Sequence, residues 1–429
     1  MRMAVAMIVL AGACGHDSAQ TGGDDDDAPA DGGGLMAGDG GAQGETAVKL
    51  TMNHRPQNPG QVSYLVAYRD GAGAWKLATA PTGDVYELPI HSSVYSIAWT
   101  CIGTVAANSA IRQVSILSFA VADRTELAID VPPRCSDPGG LVTLKGAVAN
   151  PGVIDTYAVR WGDRQAAVNN GQYSLQVPPG THDLVLLEAS MINVGDPQPS
   201  GAFVKRNVQV AGATQVDLDA NAVADVQSFG VDNLITGKAV TTLYANGTTV
   251  PLLTETTPQF DVASLAANQM AGTDIYDLVL TGTGGSRSLA TTKPADLSWT
   301  DVPALGTVTA TVATAQPYPQ LASTWPAYPN ALGYTWAATQ TITSGQGSAQ
   351  VVWTAQLSAS VIGMAGAFTM PDFSQLAGWN PSLQLVPNRP ITGGVQAHVS
   401  SVPGDFPPIT PPTSGTQRTM AAGTFAVTP

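Results

Sequence analysis

From Thr46 onward the chain is written almost entirely in short alternations of apolar and polar residues broken by turns. In "VSYLVAYRDGAGAW", Val62, Tyr64, Val66 and Tyr68 share one face and a "DGAG" turn follows. "VYELPI", "VYSIAWTC" and "VSILSFAVA" keep the same period of two, which is the period of a half-buried strand. No long run has the 3.6-residue period of an amphipathic helix; "FDVASLAANQMAG" reads as one or two helical turns. The 45 glycines and 31 prolines supply turns, and charged residues make up 12% of the chain, about half the usual share. These features predict an all-β fold of tandem β-sandwich domains.

Three stretches resemble one another: "GDVYELPIHSSVYSIAWT" from Gly83, "GQYSLQVPPGTHDLVLLEA" from Gly171 and "PQFDVASLAANQMAGTDIYDLVLTG" from Pro258. Each has an aromatic strand, a turn and a second apolar strand, at a spacing of about 90 residues, the length of a whole sandwich. "GAFTMPDF" around Phe368 begins a fourth. The expected division is 46–137, 138–214, 215–305 and an aromatic-rich 306–429.

Ahead of these lies a different kind of sequence. Arg2 is the sole charge before an apolar run from Met3 to Ala13, too short to span a bilayer as a helix. A positive start, a short apolar core and small residues make residues 1–13 a secretory signal. Two cleavage readings fit. Ala11-Gly12-Ala13 is an A-x-A site for plain secretion, while "LAGAC" resembles a bacterial lipoprotein box, with Leu10 one place earlier than is usual. That resemblance implies that Cys14 carries the lipid, and Gly15 in the next position implies the outer membrane. Residues 14–45 then form an expected disordered acidic tether: from Gly15 to Glu45 there are eight acids, ten glycines, no Lys or Arg and no aromatic residue. The "DDDD" at Asp24–Asp27 lacks the rigid turn a calcium site needs and reads as a self-repelling linker.

With Cys14 lipidated, Cys101 and Cys135 are the remaining thiols, and in an exported chain they form one disulfide. The net charge is −14, and without signal and tether the body holds 24 acids against 17 bases. A chain with no basic cluster is a poor partner for nucleic acid.

Val142 to Leu186, with Gly146-x-Val148, Gly171-x-Tyr173-x-Leu175 and Pro178-Pro179-Gly180, resembles the carboxypeptidase-regulatory, prealbumin-like sandwich. That family brings a fold and no catalytic residues. The succession of short signal, acidic tether and sandwiches is similar to surface lipoproteins of high-GC environmental bacteria such as myxobacteria.

The residues that carry chemistry are scattered. His16, His54, His91, His182 and His398 show no i, i+4 pair and no HExxH, and two cysteines 34 apart have no nearby histidine. His182 and Asp183 are strand neighbours that point to opposite faces. "GTGGSRS" fails the G-x-S-x-G pattern at its last glycine. "DLDAN" imitates the start of an EF-hand loop, but Ala222 replaces the required Gly and Ser228 the final Glu; a looser site on Asp217, Asp219 and Asp225 is the residual calcium reading. "PYPQLASTWPAYPNALGYTW" gathers Tyr318, Trp325, Tyr328, Tyr334 and Trp336, with Trp353 and Trp379 beyond. Trp325, Tyr328 and Trp336 are candidate sugar-binding rings if exposed and core anchors if buried, and the sequence favours burial.

The expectation is therefore a non-enzymatic, lipid-anchored envelope protein without cofactor or metal. It would meet the membrane through its lipid and act structurally or through another envelope protein. The alternative is a lipoprotein that binds polysaccharide through the C-terminal aromatics, and a hydrolase without a recognisable motif is the third reading.

Overall fold

The structure, a computed structural model, describes residues 45–53, 64–79, 81–106, 109–132, 135, 141–152, 155–162, 164–190, 199–234, 236–255, 261–344, 347–363 and 366–429. The signal, Cys14, the tether, His16 and His54 lie outside them. The chain is all-β, with one short helix at Ala359–Ile362 among the described residues. Four sandwiches follow one another along it.

The first is built from β1 (Thr46–Asn53), β2 (Leu65–Asp70), β3 (Lys76–Leu77), β4 (Val85–Ile90), β5 (Val94–Ala106), β6 (Ser109–Ala120) and β7 (Glu126–Asp130). A small sheet, β4-β1-β7, faces a larger one ordered β3-β2-β5-β6. Alternation explains the two layers: Val48, Leu50 and Met52 are buried against Tyr95, Ile97 and Trp99. The second repeats the plan with β8 (Val142–Ala149), β9 (Asp155–Trp161), β10 (Arg164–Ala167), β11 (Gln172–Val177), β12 (Gly180–Ser190) and β13 (Pro199–Val210). Two short strands, β14 (Thr214–Gln215) and β15 (Leu218–Asp219), both pair with β8, and β16 (Ala224–Asp225) pairs with β13.

The third uses β17 (Gln227–Asp232), β18 (Lys238–Ala245), β19 (Thr248–Glu255), β20 (Asp261–Ser264), β21 (Ile275–Thr281), β22 (Gly285–Thr291) and β23 (Leu297–Ser298). Its sheets, β20-β17-β23 and β19-β18-β21-β22, match those of the first. In all three a strand late in the sandwich, β7, β14 with β15, or β23, pairs with the first in parallel. The fourth is made of β24 (Thr309–Thr314), β25 (Gln320–Trp325), β26 (Gly333–Ser344), β27 (Gly347–Ser358), β28 (Gly366–Thr369), β29 (Ile391–Ser400) and β30 (Gln417–Val427). Here the edge of β25 away from β28 is taken by β24, which precedes β25 and pairs with it antiparallel.

The similar stretches of sequence are the same piece of each sandwich. Each is the strand pair that leaves the small sheet and enters the large one: β4–β5, β11–β12, β20–β21 and β28–β29. The connections grow from residues 91–93 and 178–179 to 265–274 and 370–390. The third is not helical as its composition suggested. Val262, Ala263 and Leu265 go into the core and a turn closes from Gln269 N–H to the Ala266 carbonyl. Gln269 is then held in place by the second repeat, accepting from Val204 N–H and donating to the Ala222 carbonyl.

The large sheets do not stay separate. Three of them join edge to edge in one sheet of 12 strands, ordered β19-β18-β21-β22-β30-β29-β26-β27-β6-β5-β2-β3. β22 meets β30 antiparallel, and β27 meets β6 in parallel from Ser348↔Ser109 to Leu357↔Ser118. The spatial order is first, fourth, third; the last repeat sits between the first and the third. The parallel join also turns the first sandwich over. Val114 and Ile116 on one face of β6 belong to the core of the fourth repeat, whereas Leu117 and Phe119 on the other face belong to the first.

Candidate functional site: the junction of the first and last repeats

The densest meeting of unusual side chains is where β27 joins β6. Two long loops of the fourth repeat close over the two faces of this joint. Residues 370–390 cover the face of Val114 and Ile116. Phe373 meets Trp75 edge-on with centroids 4.9 Å apart, and lies nearly parallel to Trp353 at 5.7 Å. Trp379 adds to the cluster at 6.0 Å from Trp353 and stacks on Tyr318 at 6.4 Å. The loop is pinned from below: Trp353 Nε1 donates to the Leu383 carbonyl at 2.9 Å, and Arg112 to that of Ser382 at 3.3 Å. Gln340 donates to the Val386 carbonyl at 2.8 Å and accepts from its N–H at 2.7 Å. Arg69 lies over the Trp75 ring at 5.3 Å.

Residues 401–416 cover the other face. Phe406 is inserted in the core of the first repeat, 6.2 Å from Phe119. Beside it Asp405 receives a two-pronged contact from Arg418, Nε to Oδ2 at 2.6 Å and Nη2 to Oδ1 at 2.8 Å. Burial works against the Asp405 charge. The Arg418 fork, Ile409 N–H and Ser400 outweigh it and hold the carboxyl below the usual range. His398, 8% exposed, lies 5.4 Å from the Phe406 ring and shares a hydrogen bond of 2.9 Å with Thr335. Burial, then the Arg418 charge, depress its pKa to about 4. Asp277 in the neighbouring β21 is pushed up by burial. Across the joint Arg124 donates to the Gly404 carbonyl at 2.8 Å, and Ser360 donates to Asp123. The Arg418–Asp405 pair and the Arg124 and Ser360 bonds tie this loop and the two repeats together, while Asp277 Oδ1 is buried without a hydrogen-bond partner among the described residues.

The structure places the other sequence candidates as follows. Cys101 and Cys135 are joined in a disulfide with Cα atoms 5.8 Å apart, inside the first core. Trp325 and Trp336 do not form a sugar platform: they are 4% and 0% exposed. Trp336 packs between Phe368 and Phe425 and donates to Ser323 at 2.9 Å; Trp325 lies against Tyr334. Tyr328 is half-buried on the same core, its N–H bonded to the Tyr334 hydroxyl. The prolines after Trp325 end β25 there, and Tyr328 in the loop that follows turns back onto the core, in line with the burial the sequence favours. Asp217 accepts from Ala147 N–H and Asp219 from Asn150 and Asn221 N–H. Asp219 caps the short turn Ala220–Ala222, Asp217 ties its segment to β8, and Asp225 is in β16. Among the described residues no three His, Cys, Asp or Glu side chains converge to hold a metal.

Sequence reasoning missed Arg206. Its guanidinium reaches Asp183 at 2.8 Å and Asp274 at 2.6 and 2.7 Å, and donates to the Gln269 carbonyl. Burial opposes its charge, but Asp274 and then Asp183 raise its pKa above the usual value. Asp183 and Asp274 come from different repeats and are 1% and 0% exposed, so this cation ties the second sandwich to the third. A signal was present: an arginine inside the strand "AFVKRNVQV" needs an acidic partner.

Open depressions remain. One of about 210 Å³ lies by Pro317, Tyr318, Pro381 and Pro387, and one of about 510 Å³ between β10 and β11 by Gln165, Asn169, Gln172 and Ser174.

No family model matches the chain, and no curated protein does. Among solved structures it is similar to a multi-modular glycogen-degrading pneumococcal virulence factor, SpuA, at 9% identity and TM-score 0.14. That match covers 82% of this chain and 36% of the other, so the chain spans about a third of that protein's length. It is also similar to the FN1–FN3 domains of chicken CNTN1, at 13% identity and TM-score 0.14, over 70% of this chain and 88% of that one.

Proposed function

We propose that the chain is a non-enzymatic, lipid-anchored protein of the bacterial outer membrane, whose four sandwiches act as a rigid structural or interaction scaffold. The observation that carries the reading is the 12-stranded sheet with two loops gripped over its central joint. A body welded in this way resists bending between repeats, because bending would break ladder hydrogen bonds and expose the aromatic cluster together. The N-terminal sequence supports the anchor. "LAGAC" ends the apolar run, and the acidic tract after Cys14 would hold the body away from the lipid surface.

Mass spectrometry of the mature N-terminus, with membrane fractionation of wild type and Cys14→Ala, tests this. The reading expects an acylated Cys14 and release of the variant into the soluble fraction. Unchanged membrane association of the variant contradicts it.

A further inference from the structure

Among the described residues seven besides glycines have positive φ, and all are asparagines: Asn150, Asn170, Asn207, Asn233, Asn246, Asn330 and Asn388. Asparagine tolerates this region because its short polar chain bonds locally. Two of them precede glycine: Asn170–Gly171 and Asn246–Gly247. Both dipeptides make the same two-residue turn, with φ of 51° and 70° in the first and 34° and 77° in the second. Both asparagines are exposed.

Their surroundings differ. Asn246 is at the tip of β18–β19 and touches the second repeat. Its side-chain amide donates to Asn207 Oδ1 at 2.9 Å, and its carbonyl accepts from Asp183 N–H at 3.3 Å. Next to it Thr248 donates to the Asp183 carbonyl and accepts from Gly162 N–H. The Asn170–Gly171 turn is tied to β8 only through its main chain, Gly171 accepting from Val148 N–H at 2.8 Å; among the described residues no hydrogen bond restrains the Asn170 side chain. The turn around it is closed by main-chain bonds between Asn169 and Gln172.

We propose that Asn170–Gly171 is a site of spontaneous deamidation and isomerisation, and that Asn246–Gly247 is the same dipeptide protected by its docking on the second repeat. In the reaction the Gly171 nitrogen gives up its proton and attacks Asn170 Cγ. The N–Cγ bond forms, the Cγ–Nδ2 bond breaks, and ammonia leaves with that proton. Water then opens the cyclic imide at either carbonyl, so the sum is amide plus water giving acid plus ammonia. Gly171 allows the approach because no Cβ stands beside its nitrogen. Opening on one side leaves an ordinary aspartate where Asn170 stood. Opening on the other carries the main chain through the side-chain methylene, which lengthens the turn by one carbon. Either product puts a negative charge on the rim of the β10–β11 depression, beside Asn169 and Gln172.

The test is peptide mapping of the intact protein after prolonged incubation at mildly alkaline pH, in wild type and Asn207→Gly. Glycine keeps the positive φ of 52° at position 207 while removing the acceptor. Asn170 should convert to a mixture of aspartyl and isoaspartyl peptides several-fold faster than Asn246, with Asn233, Asn330 and Asn388 slower still. Asn207→Gly should raise the Asn246 rate and leave the Asn170 rate unchanged. Asn170 converting no faster than Asn246, or no faster than the asparagines without a following glycine, overturns the site. An Asn246 rate unmoved by Asn207→Gly overturns the protection.

Discussion

The joint between the first and fourth repeats and the joint between the second and third solve one problem by different means. The first is a continuation of a sheet: β27 and β6 share a parallel ladder, sealed on one face by an aromatic cluster and on the other by Phe406 beside the Asp405–Arg418 pair. The second is a docking of side chains and turns, in which Arg206 answers two buried carboxylates and Asn246, Gly162 and Thr248 trade hydrogen bonds. A ladder needs no particular residues, only an unpaired edge and a seal. A polar docking needs each partner present, because a lone buried charge costs far more than the pair returns. The first kind should fail when its seal is removed, and the second when any one member is.

The largest effect should come from the seal. Trp353 is 0% exposed and touches Tyr318, Phe373 and Trp379, so Trp353→Ala should cost about 3 to 5 kcal/mol in chemical denaturation. It should also speed amide exchange in both β6 and β27. Loss confined to the fourth repeat would mean that the ladder does not couple them.

Next is the disulfide. The separation of 34 residues between Cys101 and Cys135 gives about 4 kcal/mol in the chain-entropy estimate. Replacing both with serine should lower the stability of the first repeat, and through the ladder that of the fourth, while the second is spared. Equal loss in all four would contradict the division into two kinds of joint.

Arg206→Ala should cost about 3 kcal/mol, since it leaves Asp183 and Asp274 buried without a cation. The loss should appear as exchange in the β12–β13 and β18–β19 hairpins. Protection unchanged there would show that the polar docking contributes nothing.

The smallest effect is on pH. His398 has its folded pKa lowered from 6.5 to about 4. Below the unfolded value the unfolded chain takes up a proton that the folded chain refuses, so stability is lost as pH falls from 6.5 toward 4. Between about pH 7 and about pH 5 the loss attributable to His398 is about 2 kcal/mol. It should be much reduced in His398→Gln, as measured by urea titration at the two pH values.

How much of this the sequence carried depends on the range of the interaction. The strand pairs at Val85–Ile90, Gln172–Val177 and Ile275–Thr281 were legible because alternation and turn residues are local. The disulfide followed from counting. The burial of Trp336 was half legible: its strand was, but its exposure depends on a loop fold. The spatial order of the repeats was not legible. The β6–β27 ladder joins residues about 240 apart, and one sheet edge resembles another until something covers it. Arg206 left a trace within its strand, but its partner Asp274 sits in a connection whose composition reads as helical.

The central claim is that the last repeat lies between the first and the third. Ser115 and Thr354 are neighbours across the parallel ladder, their hydroxyl oxygens 3.1 Å apart. The most direct measurement is non-reducing peptide mapping of the double variant Ser115→Cys, Thr354→Cys, purified from an oxidising compartment. The account predicts a 115–354 cross-link within one chain, in addition to 101–135. Free thiols at both positions, or a cross-link only between chains, would contradict it.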